Sequence, residues 1–592
     1  MIKIFRFLKP YWVLVVATLV LVFIQSLADL YLPTLMSSII NDGVMKGNTD
    51  KILQIGGLML LFTFGGMLVS IIASLFSSRI ALGLGRKLRS EVFGRVTSFS
   101  LEEYDRFGAS TLITRSTNDI VQVTNVTVMM LRMMVAAPMM MIGGIILAWD
   151  QDTGLTFILA YAIPVLLLLV AAVMWKGLPL FQAMQVKIDK INLVLREKLT
   201  GIRVIRAFGR EDRENVRFEA ANADLTQNYI KVNRIMAFLM PSIMLIMSLT
   251  QLAILWFGIV RIDAGDMQIG ALMAFTQYAV QILMSLMMVS MVFIMVPRAA
   301  SAAKRINEVL AVVPVINDPG AFAAADAPTK APAVSGETAP AANTPSGRVE
   351  FRNVSFAYHG AEQKAIEGLS FVAEPGKVTA IIGSTGAGKT SLLNLIPRFY
   401  EVAEGQVLVS GTDVREQTQK ALRAQIGYIP QKALLFSGTI AENLKHGKSD
   451  ASAEEIASAV RTAQSETFIA EMDGGLDHVL AQGGTNVSGG QKQRLAIARA
   501  LVRKPKIYLF DDSFSALDYK TDRNLRTALK AETTDATVII VAQRVGTIRD
   551  ADQILVLEEG KLVGQGTHTE LMANCPTYQE IVASQLSQEE AV

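Results

Sequence analysis

The chain has 592 residues, 51% of them hydrophobic and 18% charged, with a formal net charge of +3. That length exceeds what one core supports, the apolar excess is too large for a wholly soluble protein, and the near-balanced charge argues against a nucleic-acid partner. Cys575 is the single cysteine, so no intrachain disulfide forms.

The apolar excess sits before about residue 297, which predicts a membrane half followed by a soluble half. The N-terminal MIKIFRFLKP is basic and Ser26-Leu27-Ala28 resembles a signal-peptidase site. Apolar character nevertheless resumes through Ile40, so the first run reads as an uncleaved membrane helix. Runs near the length needed to cross hydrocarbon occupy residues 12–36, 54–77, 128–148, 154–174, 235–259 and 269–296. They predict an all-α transmembrane domain over residues 1–313.

Loop charge sets the orientation. The link WDQDT at 149–153 has no Lys or Arg, and the link at 260–268 has only Arg261. By contrast, 78–127 carries Arg79, Arg86, Lys87, Arg89, Arg95, Arg106 and Arg115, and 175–234 includes Arg203, Arg206, Arg210 and Arg213. Both long segments, and both termini, are therefore expected on the cytoplasmic side of the membrane. Apolar residues at helical spacing within them predict helical extensions reaching roughly 35 Å beyond the bilayer.

Residues 314–347, PVINDPGAFAAADAPTKAPAVSGETAPAANTPSG, are rich in Ala, Pro and Gly and hold almost no large apolar residue. They read as a disordered tether, with a regulatory role as the alternative. Residues 348–592 then form a second, α/β domain.

That domain opens on a phosphate-binding pattern. KVTAIIGSTGAGKTSLLNLI is a strand, a glycine-rich turn and a helix start. Gly383, Ser384, Thr385, Gly386, Ala387, Gly388, Lys389 and Thr390 fit G-x4-G-K-[ST], with Ser391 next in the helix. Backbone N–H groups in such a turn converge on phosphate oxygens, and the helix N-terminus adds positive potential. Lys389 is placed to reach the β- and γ-phosphates and Thr390 to ligate Mg²⁺. Downstream, IYLFDD is an apolar strand ending at Asp511, suited to the same ion. NVSGGQKQRLAIARAL places two glycines before a helix, a second anion cradle. One nucleotide does not need two cradles, so the second points to a nucleotide held by another domain.

On these residues, 349–590 resemble an ABC ATPase domain of the P-loop class. Gly383–Thr390 look like its Walker A, Asp511 like its Walker B aspartate and Ser488, Gly489, Gly490 and Gln491 like its signature. Gln431 looks like the Q-loop glutamine, also a Mg²⁺ ligand, and Tyr358 like the aromatic that stacks on adenine. Ser515-Ala516-Leu517-Asp518 look like the D-loop. TRSTNDI and LREKLTGIRVIRAFGRE are similar to the cytoplasmic loops of ABC exporters. The resemblance implies ATP and Mg²⁺ as cofactors. It also implies two ATPs sandwiched between two such domains, each ATP between one Walker A and the opposite signature.

Three positions depart from the family pattern. Asp512 stands where a glutamate orients the attacking water, Gln543 where a histidine meets the γ-phosphate, and Gln482 where a glutamate is common. An aspartate carboxylate sits about 1 Å further from the water, which can cost on the order of 10²-fold. A glutamine carries no titratable proton. The binding groups Tyr358, Lys389, Thr390 and Asp511 remain, and so does the signature. The pattern therefore resembles the degenerate-site subunit of a heterodimeric bacterial multidrug ABC exporter. Its partner would be a second half-transporter and its cargo small amphipathic compounds. A homodimeric lipid or peptide exporter and an ATP-gated channel are the alternatives. Methionines cluster in the spans, among them Met284, Met288, Met291 and Met295, alongside the polar residues Gln25, Asp29, Arg132, Gln251, Gln277 and Gln281. A flexible, polarisable methionine lining suits varied apolar ligands, although such residues also serve as plain packing.

Overall fold

The structure, a computed structural model, describes residues 2–319 and 345–589. The described residues fall into two units, one of residues 2–96 with 110–312, the other of 97–109 with 313–319 and 345–589.

In the first unit, six helices are long and apolar enough to cross a membrane. Their cores are Trp12–Ser38, Thr49–Thr97, Asn118–Gln151, Thr153–Thr200, Glu211–Asp263 and Ile269–Ala311. Each contains one of the expected spans. The expected extensions are continuations of the same helices. Thr49–Thr97 runs 49 residues and Glu211–Asp263 runs 53, about 74 and 80 Å at 1.5 Å per residue. The helix Ile269–Ala311 packs along Asn118–Gln151 and Trp12–Ser38, while Thr153–Thr200 packs along Glu211–Asp263. A core of Leu30, Ala148, Leu155, Leu159, Ile254, Phe275 and Tyr278 joins them. At the short 149–153 link, Asp152 caps the next helix by accepting from the Leu155 N–H at 2.8 Å. It also pairs with Arg261 at 2.8 Å, so the one basic residue of the 260–268 link has a structural partner.

The second unit is α/β. Its main sheet runs in the order Lys561–Gly566, Gln553–Glu558, Val378–Gly383, Thr537–Val541, Ile507–Asp511 and Ile426–Ile429. All neighbours are parallel except the first pair. The four inner strands VTAIIG, TVIIV, IYLFD and QILVLE are nearly continuous apolar runs, as expected of parallel strands covered on both faces. A second, antiparallel sheet holds Ile366–Ala373, Val349–Phe356, Glu404–Val409 and Thr412–Asp413.

The second unit also carries a helix from the first long loop, Leu101–Phe107. A reciprocal cap starts it: Glu103 accepts from the Ser100 N–H at 2.7 Å and bonds the Ser100 hydroxyl. The other oxygen of Glu103 accepts from the Val315 N–H at 2.7 Å. The Tyr400 hydroxyl donates to Asp105 at 3.0 Å, and burial together with that carboxylate pushes the Tyr400 phenol up. Of the expected tether, residues 320–344 lie outside the described residues. Its start does not behave as a bare tether: Ile316 is buried and Asp318 accepts from the Gln419 N–H at 2.8 Å. Glu103→Ala removes a buried carboxylate that serves both segments. It is expected to cost about 1–3 kcal/mol locally, seen as faster amide exchange in 97–109 and 313–318 with the sheet unaffected.

Candidate functional site

Strand register brings the site together. Val541 lies opposite both Asp511 and Ile381, and Leu557 opposite Gly383. The carboxyl ends of neighbouring parallel strands therefore finish level. Gly383 begins the glycine-rich turn, Asp511 ends the next strand but one with Asp512 directly after it, and Gln543 and Gln431 follow Val541 and Ile429. A crevice at the carboxyl ends of such strands is the usual ligand position in open α/β sheets.

The turn needs its glycines. Gly386 and Gly388 have φ of 88° and 93°, a left-handed region that other residues resist. A Cβ on Gly388 would sit 2.5 Å from the Ala365 carbonyl oxygen. Lys389, the first residue of the helix Lys389–Leu395, folds back and donates to the carbonyls of Gly383 at 2.9 Å and Ser384 at 2.7 Å. Burial lowers its ammonium pKa, against the attraction of Asp512 and Asp511. Thr390 donates to Asp511 at 3.0 Å. Burial, with Asp512 adding to it, raises the Asp511 carboxyl.

Asp512 has φ of 47° and its N–H donates to the Val541 carbonyl at 2.9 Å. Its Oδ2 accepts from the Gln543 amide at 2.9 Å and from the Gln431 amide at 3.1 Å. Aspartate is among the few non-glycine residues enriched in this backbone region. The three positions are 31 and 81 residues apart in sequence and meet on one oxygen.

Tyr358 is 40% exposed at the end of the antiparallel sheet. Its hydroxyl shares a 2.7 Å hydrogen bond with Ser391, and its ring meets Phe356 and Tyr400 edge-on. Sequence reasoning missed Tyr428, whose hydroxyl donates to Asn394 at 3.2 Å. Burial, with Asp511 nearby, pushes its phenol up. The position IGYIP gave no signal for this beyond an aromatic in a strand.

Ser488, Gly489, Gly490 and Gln491 do not join that cluster. Ser488 caps the helix Gly489–Arg503: its N–H donates to the Gln491 side chain at 2.8 Å, and its hydroxyl accepts from the Gln491 N–H at 3.3 Å. Ser488 and Gly489 are exposed. Gly490 lies against the 515–518 turn, where a Cβ would approach the Ala516 carbonyl to 3.2 Å. Gln482, in the short helical turn Gln482–Gly484, is exposed.

Comparison with known proteins places both halves. Residues 15–286 match the model of the ABC transporter transmembrane region and residues 366–515 the model described as ABC transporter. An uncharacterised ABC transporter ATP-binding protein of Mycobacterium tuberculosis is 43% identical over 581 residues, covering 98% of this chain and 97% of the relative. An ATP-dependent lipid A-core flippase of Aromatoleum aromaticum is 30% identical over 87% of this chain and 83% of its own length. The solved structure of a bacterial Atm1-family ABC exporter with ATP bound superposes with a TM-score of 0.76 at 26% identity, covering 97% of this chain and 98% of that one. With six helices among the described residues long and apolar enough to span a membrane, and a phosphate-loop domain on the same polypeptide, the chain belongs to the ABC transporter family as a multi-pass half-transporter that couples ATP hydrolysis to export.

Proposed function

We propose that this chain is one half of a heterodimeric exporter of small amphipathic compounds. Its own ATP site binds firmly and hydrolyses slowly, and its signature completes the faster site of the partner. The observation that carries this reading is the capture of Asp512 Oδ2 by the amides of Gln543 and Gln431. The carboxylate that should face the attacking water is engaged by two neutral donors, and neither can accept a proton.

The binding groups support retention. Lys389 exchanges its two carbonyl partners for the phosphates, the turn from Gly383 to Lys389 supplies N–H groups, and Tyr358 offers a ring for adenine. Thr390 Oγ1 and Asp511 Oδ1 are hard oxygen donors 3.0 Å apart, and Gln431 uses only its amide nitrogen in the described bonds. That donor set fits Mg²⁺, which takes one or two protein carboxylates beside substrate phosphates. When bound, the ion neutralises charge on the phosphate oxygens. Asp511→Asn is expected to abolish the extra thermal stabilisation that Mg²⁺ adds to ATP, while ATP alone still stabilises.

The membrane half supports a cytoplasmic-membrane location with both termini inside, on the distribution of basic residues between loops. Native mass analysis of the complex extracted with detergent tests the pairing. A 1:1 complex with a second, different half-transporter is expected, one carrying glutamate and histidine at the two departed positions. A fully active complex of two copies of this chain would overturn it.

A further inference from the structure

The first and sixth membrane helices run antiparallel in a register fixed by side chains. The Gly270 N–H donates to Asn41 at 2.8 Å, Tyr278 donates to the Leu30 carbonyl at 3.1 Å, and the Gln281 amide donates to the Asp29 carbonyl at 3.2 Å. Asn41 and Gly270 mark the end where Ile269–Ala311 begins. Asp29 lies twelve residues from Asn41, which sits in the π-helical turn Ile39–Val44 that continues its helix, about 18 Å. In a hydrocarbon layer of about 30 Å, that is near the middle, where an ionisable group is costly and marks function by default.

The direction of Asp29 is also set. The exposed stripe Val16, Val20, Ile24, Leu27 and Tyr31 lies on one side of the helix, and the buried Ser26, Leu30 and Pro33 on the other. At 100° per residue, Asp29 falls on the protein-facing side, and it is half-buried. Among the described residues, its carboxylate has no hydrogen bond or ion pair. Beside it, Gln281 Oε1 is buried and likewise without a partner among the described residues. On the sixth helix Gln281 borders an exposed stripe containing Met284, Met288, Met291 and Met295.

Two unmatched acceptors at mid-membrane depth, beside a flexible apolar wall, call for a ligand with N–H donors, positive charge and an apolar body. We propose that Asp29 and Gln281 hold the head group of amphiphiles bearing a primary or secondary ammonium, with the methionine stripe taking the tail. This rests on the reading of the chain as an exporter of amphipathic compounds and narrows it. The ammonium donates to the Asp29 carboxylate and to Gln281 Oε1, a charge-assisted pairing strengthened by low polarity.

The test uses the full transporter with its partner in nanodiscs. Stimulation of ATPase is titrated with dodecylamine and with dodecanol, for the wild type, Asp29→Asn and Asp29→Glu. Comparing each ligand across variants cancels differences in membrane partitioning. Asp29→Asn is expected to raise the half-maximal concentration of the amine about tenfold, the loss of one charged hydrogen bond. It should leave that of the alcohol within about twofold, and Asp29→Glu should keep the preference for the amine. If Asp29→Asn shifts both ligands alike, or neither, the head-group site is wrong while the exporter reading stands. A fall in maximal turnover with both ligands, without a change in their ratio, would indicate proton handling and overturn the proposal. If neither compound binds by equilibrium dialysis or stimulates ATPase, both the head-group site and the export of amphiphiles fail.

Discussion

Ser488→Arg is expected to lower ATPase and transport of the assembled exporter by about 10²–10³-fold, whereas Asp512→Asn leaves most of both. Ser488 in the proposed assembly donates to the γ-phosphate of the partner's ATP, at the faster site. Its direct role in this chain is modest. It is exposed and caps one helix, so losing it costs about 1 kcal/mol, far less than the roughly 3–4 kcal/mol that such a fall in rate represents. A small fall in melting temperature with a large fall in turnover therefore separates catalysis from folding. Asp512 acts on this chain's own slow site. Asparagine keeps its shape and tolerates the left-handed backbone at φ 47°, which alanine would strain. In a symmetric pump the ordering changes, and Asp512→Asn becomes as damaging as the signature change. Steady-state ATPase of the two purified variants, with the partner unaltered, reads the difference.

The second large effect is a gain. Asp512→Glu combined with Gln543→His is expected to raise hydrolysis at this chain's own site by about 10²-fold, and either change alone by much less. The extra methylene advances the carboxylate by about 1 Å. The histidine removes one of the two amides that hold Oδ2 and supplies a titratable ring. The two positions share a hydrogen bond of 2.9 Å, so their effects should be coupled rather than additive. Glutamate fits the left-handed backbone at position 512 less well, and a stability loss of about 1 kcal/mol should accompany the gain. Single-turnover hydrolysis of labelled ATP bound to this chain is the measurement. Equal rates for the double variant and the wild type would show that something other than these two side chains limits the site.

What the sequence made legible was local. The phosphate turn is read from glycines and a lysine at fixed spacing, because its chemistry depends on neighbouring backbone groups. The six spans are read from apolar length, because hydrocarbon admits only satisfied backbone. Long-range meetings were not legible. Asp512 looked like a shortened base, but nothing adjacent to it announces a left-handed backbone or capture by two glutamines. Nothing around Gln431 in the sequence points to the bond its amide nitrogen makes to Asp512. The helix Leu101–Phe107 sits between two membrane spans in sequence yet belongs to the ATPase unit, through contacts of Glu103 and Asp105 with residues more than 200 positions away. Asp29 and Gln281 were separate polar residues in sequence, and only helix packing placed one beside the other.

The proposed asymmetry is tested most directly by the fate of the nucleotide on this chain. The assembled exporter is loaded with photoreactive ATP labelled on the γ-phosphate or the adenine, cycled with Mg²⁺ and excess unlabelled ATP, then cross-linked and separated into its two chains. Lys389, Thr390, Asp511 and Tyr358 should keep the nucleotide in place while Asp512, held by Gln431 and Gln543, fails to drive its cleavage. Both labels should therefore persist on this chain through many turnovers, and the partner should lose both as its labelled ADP leaves and unlabelled ATP replaces it. Loss of the γ-label from this chain at the same rate as from the partner would contradict the account and make Asp512 a working catalytic residue.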